Sequence, residues 1–536
     1  MPALIPVLRV ALLAALALPA AALAAPPPGL DARIEAVIHE HGVPGMAVAI
    51  VEHGTVVHAR GYGVRRLGAP ERVDADTIFP TGSTGKAMTT AALAILVDQK
   101  KIGWDDKVTD RLPGFQMYDP WVTREMTIRD LLVHRSGLGL GAGDLLFVPR
   151  TSLTRAESVQ RLRYIKPATS FRSGYAYDNV LYMVAGQLIE AVSGQTWEAF
   201  VRDHLFKPAG MDESTTDDAD FFATANRAQP HARMDGGFRG IGKQEVLDER
   251  AGLGRTAAPA GGIASSAHDM GRWLSIQLAH GALPGSDGQR LFSEDASREM
   301  WTPQQLVPIT PLPAPVAEAT PQFSSYALGW EVEDYRGVKI IAHGGSVFGV
   351  QTMVVLVPDR QVGFSLQINS EDGVVLKGMM YELLDYYLGA PKRDWVADFA
   401  QYKKDRTAKA LAILQQTQAT EMPSRSSRPS LALSGYAGTY ADPWYGPIDI
   451  RENGGRLRID FQQTPNMQGT LEHWQYDTFV TRWDDRTIEP AYVTFALDAK
   501  GAIDRITMKA ASPLADFSYD YQDLVFTPSG ELGAAQ

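Results

Sequence analysis

A serine and a lysine three residues apart mark the start of a predicted buried helix. Ser83 and Lys86 precede an uncharged, helix-forming run over residues 87–97, and Pro80 and Gly82 break the chain just before them. Residues three apart on a helix share one face, so the Lys86 amine can reach the Ser83 hydroxyl. A serine hydroxyl needs a base before it becomes a good nucleophile, and lysine serves only when neutral. Burial and the positive end of the helix dipole favour the neutral amine, so the pair predicts covalent catalysis.

The same pair has a simpler interpretation, a helix-capping serine beside a solvated lysine, because Ser-x-x-Lys recurs by chance in long chains. A phosphate-binding loop is excluded, since Pro80 stands where the first glycine is required and Ala87 follows Lys86 in place of serine or threonine. The rest of the chain must therefore decide between catalysis and capping.

Two later segments carry groups that could complete a catalytic site. Tyr177 and Asn179 lie in an aromatic, turn-rich loop before an apolar helix predicted over residues 180–192, so a phenol and an amide can face one cleft. The alternative is that this tyrosine packs in the core. The sequence His-Gly-Gly-Ser at residues 343–346 ends a predicted strand. Two glycines there leave backbone N–H groups open, as an oxyanion hole requires.

His134 also invites a catalytic interpretation, because it ends a short helix predicted over residues 126–134. We expect instead a buried histidine that is hydrogen-bonded to the backbone.

The composition excludes several classes of function. The chain has 536 residues, a formal net charge of -11 and no cysteine. An acidic chain without a basic stripe makes nucleic acid an unexpected partner. No Cys-rich, His-rich or His-Glu-x-x-His pattern supports a metal site, and the absence of cysteine narrows covalent catalysis towards serine. We expect neither a metal nor an organic cofactor.

The N-terminus predicts export. Arg9 precedes a short apolar run over residues 10–24 that ends in Ala-Leu-Ala, which is typical of a secretory signal peptide cleaved near Ala24 or Ala25. An anchor helix is the alternative, but the run is short for a membrane span. We therefore predict a periplasmic or secreted protein without stable membrane insertion.

The remaining chain divides into two folded regions. We predict one domain with the candidate catalytic residues over residues 26–392, a connecting helix and linker over 393–430, and a β domain over 431–536. The first region has a helix over residues 30–41, paired strands before the serine, and a helix over 373–388 after further strands. These later strands are predicted over residues 327–332, 339–343, 351–357 and 362–369. The region after 431 has about eight short strands separated by turns, as in a small antiparallel barrel or sandwich.

Three motifs in order, Ser83-x-x-Lys86, Tyr177-x-Asn179 and His343-Gly344-Gly345, resemble those of the class C beta-lactamase-like serine hydrolases. The resemblance covers about residues 30–390 and includes the connecting segments 127–138 and 260–266. The C-terminal part is similar to the lipocalin-like barrel of some members. The resemblance implies an α+β fold, an antiparallel sheet flanked by helices with an all-helical part, followed by a small antiparallel barrel.

The resemblance also implies roles for these residues. Ser83 would attack an amide or ester carbonyl, while Lys86 and Tyr177 share the work of the base and Tyr177 returns a proton to the leaving group. Asn179 and residues 343–346 (His343, Gly344, Gly345 and Ser346) would bind substrate. The backbone N–H groups of Ser83 and Ser346 would form the oxyanion hole.

Two positions depart from the family pattern. Asp178 stands where a small residue is common, which predicts a carboxylate near the cleft mouth. His343 stands where the beta-lactamases carry lysine, and a histidine is only partly charged near neutral pH. This substitution weakens the prediction of antibiotic hydrolysis and favours the family's peptidases and esterases.

We therefore predict an exported serine hydrolase that acts on small peptides, including peptides with D-residues, or on carboxylic esters. A beta-lactamase or a penicillin-binding sensor with little turnover is the alternative, and a homo-oligomer is a possible assembly. The barrel is expected to shape the active-site mouth or support assembly, rather than to bind a lipid or a partner.

Overall fold

The computed structural model describes residues 25–236, 238–248, 252–420 and 426–529. The apolar run of the predicted signal peptide, within residues 1–24, lies outside the described residues, as does part of the predicted linker. The helices are α1 (Leu30–His41), α2 (Lys86–Asp98), α3 (Val108–Arg111), α4 (Pro120–Glu125), α5 (Arg155–Arg161), α6 (Val180–Ser193), α7 (Trp197–Val201), α8 (Lys207–Ala209), α9 (Asp218–Ala223), α10 (Gly254–Gly261), α11 (Ala267–Leu278), α12 (Glu294–Met300), α13 (Gly373–Leu388) and α14 (Trp395–Thr420).

The strands of the first region are β1 (Gly45–Glu52), β2 (Thr55–Gly63), β3 (Phe79–Pro80), β4 (His231–Arg233), β5 (Gln244–Val246), β6 (Ala264–Ser265), β7 (Gln305–Leu306), β8 (Ser324–Tyr326), β9 (Glu331–Tyr335), β10 (Val338–Val347), β11 (Val350–Val357) and β12 (Val362–Ile368). The strands of the second region are β13 (Gly438–Asp442), β14 (Gly446–Asn453), β15 (Arg456–Phe461), β16 (Gln468–Gln475), β17 (Thr478–Trp483), β18 (Ala491–Leu497), β19 (Ile503–Ala510) and β20 (Val525–Pro528).

A central sheet of eight strands separates two hydrophobic cores. Its strand order is β2-β1-β12-β11-β10-β9-β8-β7, and neighbouring strands are antiparallel throughout. Every residue of β1 is buried because successive side chains point to opposite faces and both faces are covered. Met46, Val48 and Ile50 belong to the core that contains α1 and α13, whereas Ala47 and Ala49 belong to the core that contains α2. The sheet therefore has helices on both faces.

The helical part of the first domain surrounds α2. Every residue from Lys86 to Leu96 is buried, because α2 packs against α6, α7, α10 and α12. An apolar, alanine-rich helix can be enclosed in this way because its small side chains allow close approach. The helix that follows Ser83 is thus the centre of the domain, as the sequence predicts.

The C-terminal region is a closed antiparallel barrel of the eight strands β13 to β20. Alternate residues point inward, so Ile448 and Ile450 of β14 and Ile459 and Phe461 of β15 are buried. The prediction of a C-terminal antiparallel β domain is confirmed, and its topology is a barrel rather than a sandwich. Its likeness to lipocalins stays a prediction.

Two predicted elements differ from the structure. The helix predicted over residues 126–134 is only a 3-10 turn, Arg129–Leu132. The strand predicted over 327–332 begins at Glu331, because a tight turn precedes it in which the Ala327 N–H donates to the Trp330 carbonyl at 2.7 Å. Gly329 has a φ of 79° there, and a Cβ at this position would lie 2.7 Å from Thr90 Oγ1 of α2. No helix among the described residues is both long and apolar enough to cross a membrane.

Candidate active site

Ser83 lies in a 3-10 turn, Gly82–Gly85, that leads directly into α2. Gly82 has a φ of 54°, in the left-handed region that glycine adopts without strain. Thr81 secures the turn on one side, since its hydroxyl donates to the Ile263 carbonyl at 2.9 Å. This arrangement leaves the Ser83 side chain partly exposed to the cleft.

The Lys86 amine is fully buried and has three acceptors. As an ammonium, its Nζ donates to Ser83 Oγ at 2.9 Å, to Asn179 Oδ1 at 2.8 Å and to the Ala260 carbonyl at 2.8 Å. As a neutral amine it keeps two N–H groups, for Asn179 and Ala260, and its lone pair can accept from the Ser83 hydroxyl. Burial lowers the pKa of Lys86 to about 7, although Asp144 and Asp178 oppose this shift through their charge. A neutral amine is therefore accessible near neutral pH within hydrogen-bonding distance of the serine hydroxyl.

Tyr177 flanks the same pair. The Lys86 Nζ lies 4.9 Å from the centroid of the Tyr177 ring. Burial raises the pKa of Tyr177 well above its ordinary value, and this effect outweighs the opposing influence of the nearby Ser83 hydroxyl. The phenol therefore keeps its proton near neutral pH and is suited to donate it.

Asn179 is held at both ends of its side-chain amide. Its Oδ1 accepts from Lys86, and its Nδ2 donates to Asp144 Oδ2 at 3.0 Å. Burial raises the pKa of Asp144 to about 7. Sequence reasoning missed this carboxylate, although it is the only charged residue in the apolar, glycine-rich stretch over 136–149.

The backbone of β10 lies directly against the serine turn. A Cβ on Gly82 would be 2.7 Å from the Ser346 nitrogen, and a Cβ on Gly345 would be 2.1 Å from the Thr81 carbonyl oxygen. Only glycine allows the two backbones to approach this closely. The structure thus brings together the Ser83 and Ser346 segments, whose N–H groups would form the oxyanion hole that the family resemblance implies. Gly344 lies beside them on β10.

His343 is buried and neutral. Its Nδ1–H donates to the Gly344 carbonyl at 2.6 Å, so Nε2 carries no proton and accepts from the Tyr326 hydroxyl at 2.7 Å. Burial and the nearby Lys86 charge lower the pKa of His343 to about 3. This residue therefore offers no positive charge to a substrate carboxylate at neutral pH.

The expectation for Asp178 is wrong. It does not lie near the cleft mouth but is completely buried, and it accepts a hydrogen bond from the Ser136 hydroxyl at 3.1 Å. The physical reason is that Asp178 begins the turn into α6, with its side chain on the inner side. Burial raises its pKa to about 7.

His134 lies behind Tyr177, not in the cleft. It is buried, its Nδ1 accepts from the Asp178 backbone N–H at 3.2 Å, and its ring centroid is 4.2 Å from that of Tyr177. The prediction of a buried histidine that is hydrogen-bonded to the backbone is confirmed.

The predicted residues surround one cleft of about 1010 Å³. The hydrolase domain contributes Ser83, Tyr177, Asn179 and residues 343–346 to its lining, and helix α14 contributes Tyr402, Lys403 and Arg406. The barrel contributes Leu514 and residues 516–519, as expected of a domain that shapes the active-site mouth. In the described part of the chain, no group of three histidine or acidic side chains is arranged to hold a metal ion.

This fold and this site define a serine hydrolase. The chain belongs to the beta-lactamase family, whose model matches residues 30–386. A second model, a domain of unknown function designated DUF3471, matches residues 422–528 and so spans the barrel.

Several known proteins are similar to this chain. An unguisins hydrolase from Aspergillus campestris is 28% identical over 425 residues, which are 76% of this chain and 74% of that protein. Penicillin-binding protein 4 from Amycolatopsis lactamdurans is 30% identical over 346 residues, 63% of this chain and 84% of the relative.

Two solved structures share the fold. The octameric penicillin-binding protein homologue from Pyrococcus abyssi aligns with a TM-score of 0.56 and 19% identity, covering 93% of this chain and 98% of its own. The D-amino acid amidase from Ochrobactrum anthropi, complexed with L-phenylalanine amide, aligns with a TM-score of 0.52 and 20% identity, covering 67% of this chain and 97% of its own.

Proposed function

We propose that this protein is a serine hydrolase that acts through an acyl-enzyme on Ser83. It is a peptidase or amidase that cleaves amide bonds of small peptides, including peptides with D-residues, or an esterase that cleaves carboxylic esters. The observation that carries the proposal is the 2.9 Å contact between Ser83 Oγ and the buried Lys86 amine. A buried amine with a lowered pKa has the features of a general base that serves a serine nucleophile.

Acylation follows from this geometry. Ser83 Oγ bonds to the substrate carbonyl carbon while its proton passes to neutral Lys86. The oxyanion accepts hydrogen bonds from the Ser83 and Ser346 backbone N–H groups. The Tyr177 hydroxyl then gives its proton to the leaving nitrogen or oxygen as that bond breaks, and the proton on Lys86 restores the phenol. Water attacks the acyl-enzyme with the same groups in reverse roles.

The neutral state of His343 supports a peptidase, amidase or esterase over a beta-lactamase. An antibiotic carboxylate needs a fixed positive charge, and His343 uses both of its ring nitrogens in internal hydrogen bonds. The names of two similar proteins fit this direction, since one is an unguisins hydrolase and the other a D-amino acid amidase. Asn179 and residues 343–346 are the proposed substrate-binding groups.

A beta-lactamase, or a penicillin-binding sensor with little turnover, is the second candidate. It is favoured by the 30% identity to penicillin-binding protein 4 over 84% of that relative. The candidates differ in their reaction with penicillin: a sensor keeps a penicilloyl adduct, a beta-lactamase hydrolyses the penicillin, and a peptidase does neither.

We further propose that the protein is exported, to the periplasm or beyond, after cleavage near Ala24 or Ala25. The basic start, short apolar run and Ala-Leu-Ala end of the N-terminus support this proposal. Assembly into a homo-oligomer is proposed as well, because the penicillin-binding protein homologue from Pyrococcus abyssi, which shares the fold, is octameric.

Mass spectrometry of the intact protein tests the catalytic proposal. Wild type, Ser83→Ala and Ser173→Ala are treated separately with a fluorophosphonate and with a penicillin. Untreated samples of the three proteins are assayed on D- and L-amino-acid amides and short esters. Ser173 is the matched control because its exposed hydroxyl is bonded only to the Ser170 carbonyl, at 2.6 Å.

We expect one fluorophosphonate adduct on wild type and on Ser173→Ala, none on Ser83→Ala, and no lasting penicillin adduct. A persistent penicilloyl adduct on Ser83 would favour the second candidate. Equal labelling of Ser83→Ala and wild type would contradict a role for Ser83 as the nucleophile.

A further inference from the structure

One loop of the barrel enters the hydrolase domain beside the catalytic groups. Residues 511–524 connect β19 to β20, and Leu514, Phe517 and Tyr519 of this loop line the cleft. Phe517 packs so closely on Gly141 that a Cβ there would lie 2.5 Å from Phe517 Cδ2. The contact is therefore a close fit between the two domains at the active site.

A chain of hydrogen bonds runs from this loop to the serine. The Ser518 hydroxyl donates to Asp144 Oδ2 at 2.8 Å, and the same oxygen accepts from Asn179 Nδ2 at 3.0 Å. Asn179 Oδ1 accepts from Lys86 at 2.8 Å, and Lys86 donates to Ser83 at 2.9 Å. Four consecutive hydrogen bonds thus connect a barrel hydroxyl with the proposed nucleophile.

The same loop fixes the turn that carries Asp144. Asp520 accepts from the backbone N–H groups of Gly143 at 2.6 Å and Leu145 at 3.2 Å, the two neighbours of Asp144 in the chain. Asp144 and Asp520 are both fully buried. The position of the Asp144 side chain is therefore determined by the barrel on both sides.

The orientation of the Asn179 side-chain amide connects these contacts of Asp144 with Lys86, the proposed base. A side-chain amide can rotate by half a turn and exchange its acceptor oxygen for its donor nitrogen. Asp144 accepts from Nδ2, which requires Oδ1 to face Lys86. With the opposite orientation, two donors would face each other and Lys86 would lose one of its three acceptors.

We infer that Asp144 and Ser518 are positioning residues of the hydrolase reaction, and that the barrel thereby sets the orientation of Asn179 and Lys86. This inference rests on the proposed function, because it assigns Lys86 the role of base for Ser83. It differs from a purely structural role of the loop, in which these contacts would only hold the two domains together.

The test uses the full chain and the rate of fluorophosphonate labelling at Ser83, a readout that needs no natural substrate. In this step the Ser83 oxygen bonds to phosphorus, fluoride leaves and the serine proton passes to the base. Two variants, Ser518→Ala and Asp144→Ala, remove hydrogen bonds of this chain. Two conservative variants keep them: Ser518→Thr retains the hydroxyl, and Asp144→Asn retains an acceptor oxygen. Ser512→Ala is the matched control, because Ser512 lies in the same loop and its Oγ accepts only from the Leu514 N–H, at 3.1 Å. Circular dichroism and Tm establish folding.

We expect the second-order rate constant to fall about 10-fold in Ser518→Ala and about 100-fold in Asp144→Ala, the range for lost hydrogen bonds to charged groups. Ser518→Thr and Asp144→Asn should recover most of the rate, and Ser512→Ala should match wild type. If Asp144→Ala does not fold, Ser518→Ala and its rescue by threonine decide the outcome.

Wild-type rates in folded Ser518→Ala and Asp144→Ala would overturn the inference while leaving the proposed function intact. An equal loss in Ser512→Ala and Ser518→Ala would also overturn it, since any disturbance of the loop would then suffice. Labelling that persists in Ser83→Ala would instead refute the proposed function, and the inference with it.

Discussion

At the scale of single residues, the ionisation of Lys86 decides whether the site can react. Its amine is completely buried, which favours the neutral form, and this effect outweighs the charges of Asp144 and Asp178. His134 and His343 lie nearby, and burial lowers the pKa of each, so both are neutral. The net result is a lysine pKa of about 7, within the range where a base both accepts a proton and exists in its free form.

The labelling rate should therefore depend on pH in a defined direction. Below the pKa of Lys86 the amine is protonated and cannot accept the serine proton, so we expect the fluorophosphonate rate to rise with pH, with a midpoint of about 7. Asp144→Asn removes a negative charge that raises the pKa of Lys86, so its midpoint should move to lower pH. The measurement is the labelling rate across about pH 5 to 9, corrected for spontaneous probe hydrolysis. A flat profile, or a midpoint near the ordinary lysine value, would contradict this account.

At the scale of secondary structure, the site depends on the close approach of β10 to the turn before α2. The Thr352 hydroxyl of β11 donates to the Thr81 carbonyl at 2.6 Å and so joins the sheet to this turn. Gly345 is required in this contact, because a Cβ there would lie 2.1 Å from the Thr81 carbonyl and 2.3 Å from Thr352 Oγ1. Gly344 differs, since a Cβ on it would meet only Met353 Cε, at an ordinary 3.6 Å.

Gly345→Ala should therefore slow the reaction far more than Gly344→Ala. The new methyl group forces β10 away from the serine turn and separates the two N–H groups of the proposed oxyanion hole. We expect the labelling rate of Gly345→Ala to fall by about 100-fold, comparable to the loss of one oxyanion-hole donor. Labelling kinetics of both variants, with circular dichroism to establish folding, provide the measurement. Similar rates for the two alanine variants would refute the steric argument.

At the scale of the whole molecule, the barrel and the hydrolase domain share polar contacts as well as the cleft. Arg161 of α5 donates to the Tyr445 carbonyl of the barrel at 2.5 Å, and the Ser152 N–H donates to the Gln463 carbonyl at 2.8 Å. Asp520 adds two hydrogen bonds to the turn around Asp144. The second domain is thus part of the structure that supports the active site.

Asp520→Ala should destabilise the whole protein. The change leaves the Gly143 and Leu145 N–H groups without an acceptor, at a cost of about 1–3 kcal/mol for each buried group. Burial raises the pKa of Asp520 well above its ordinary value, so the stability it contributes is greatest at low pH and declines as pH rises. The loss in the free energy of unfolding, measured with urea, should accordingly be larger at about pH 5 than at about pH 8. An unchanged urea midpoint at both pH values would show that these hydrogen bonds contribute no net stability.

The sequence by itself determined the features that depend on local pattern. Helices α1 and α13 begin and end where their apolar periodicity predicts, and the three motifs identified the groups that the fold gathers around one cleft. This success has a physical reason: helix periodicity, glycine positions and the spacing of Ser83 and Lys86 are properties of short segments.

Only the tertiary structure decided which groups are buried and which distant segments meet. Asp178 was expected near solvent, but the turn into α6 points it inward. Asp144 and Ser518 are 374 residues apart, and no local pattern links them. Their contact depends on how the barrel docks on the hydrolase domain, and docking is set by the packing of two complete surfaces, which a single sequence does not display.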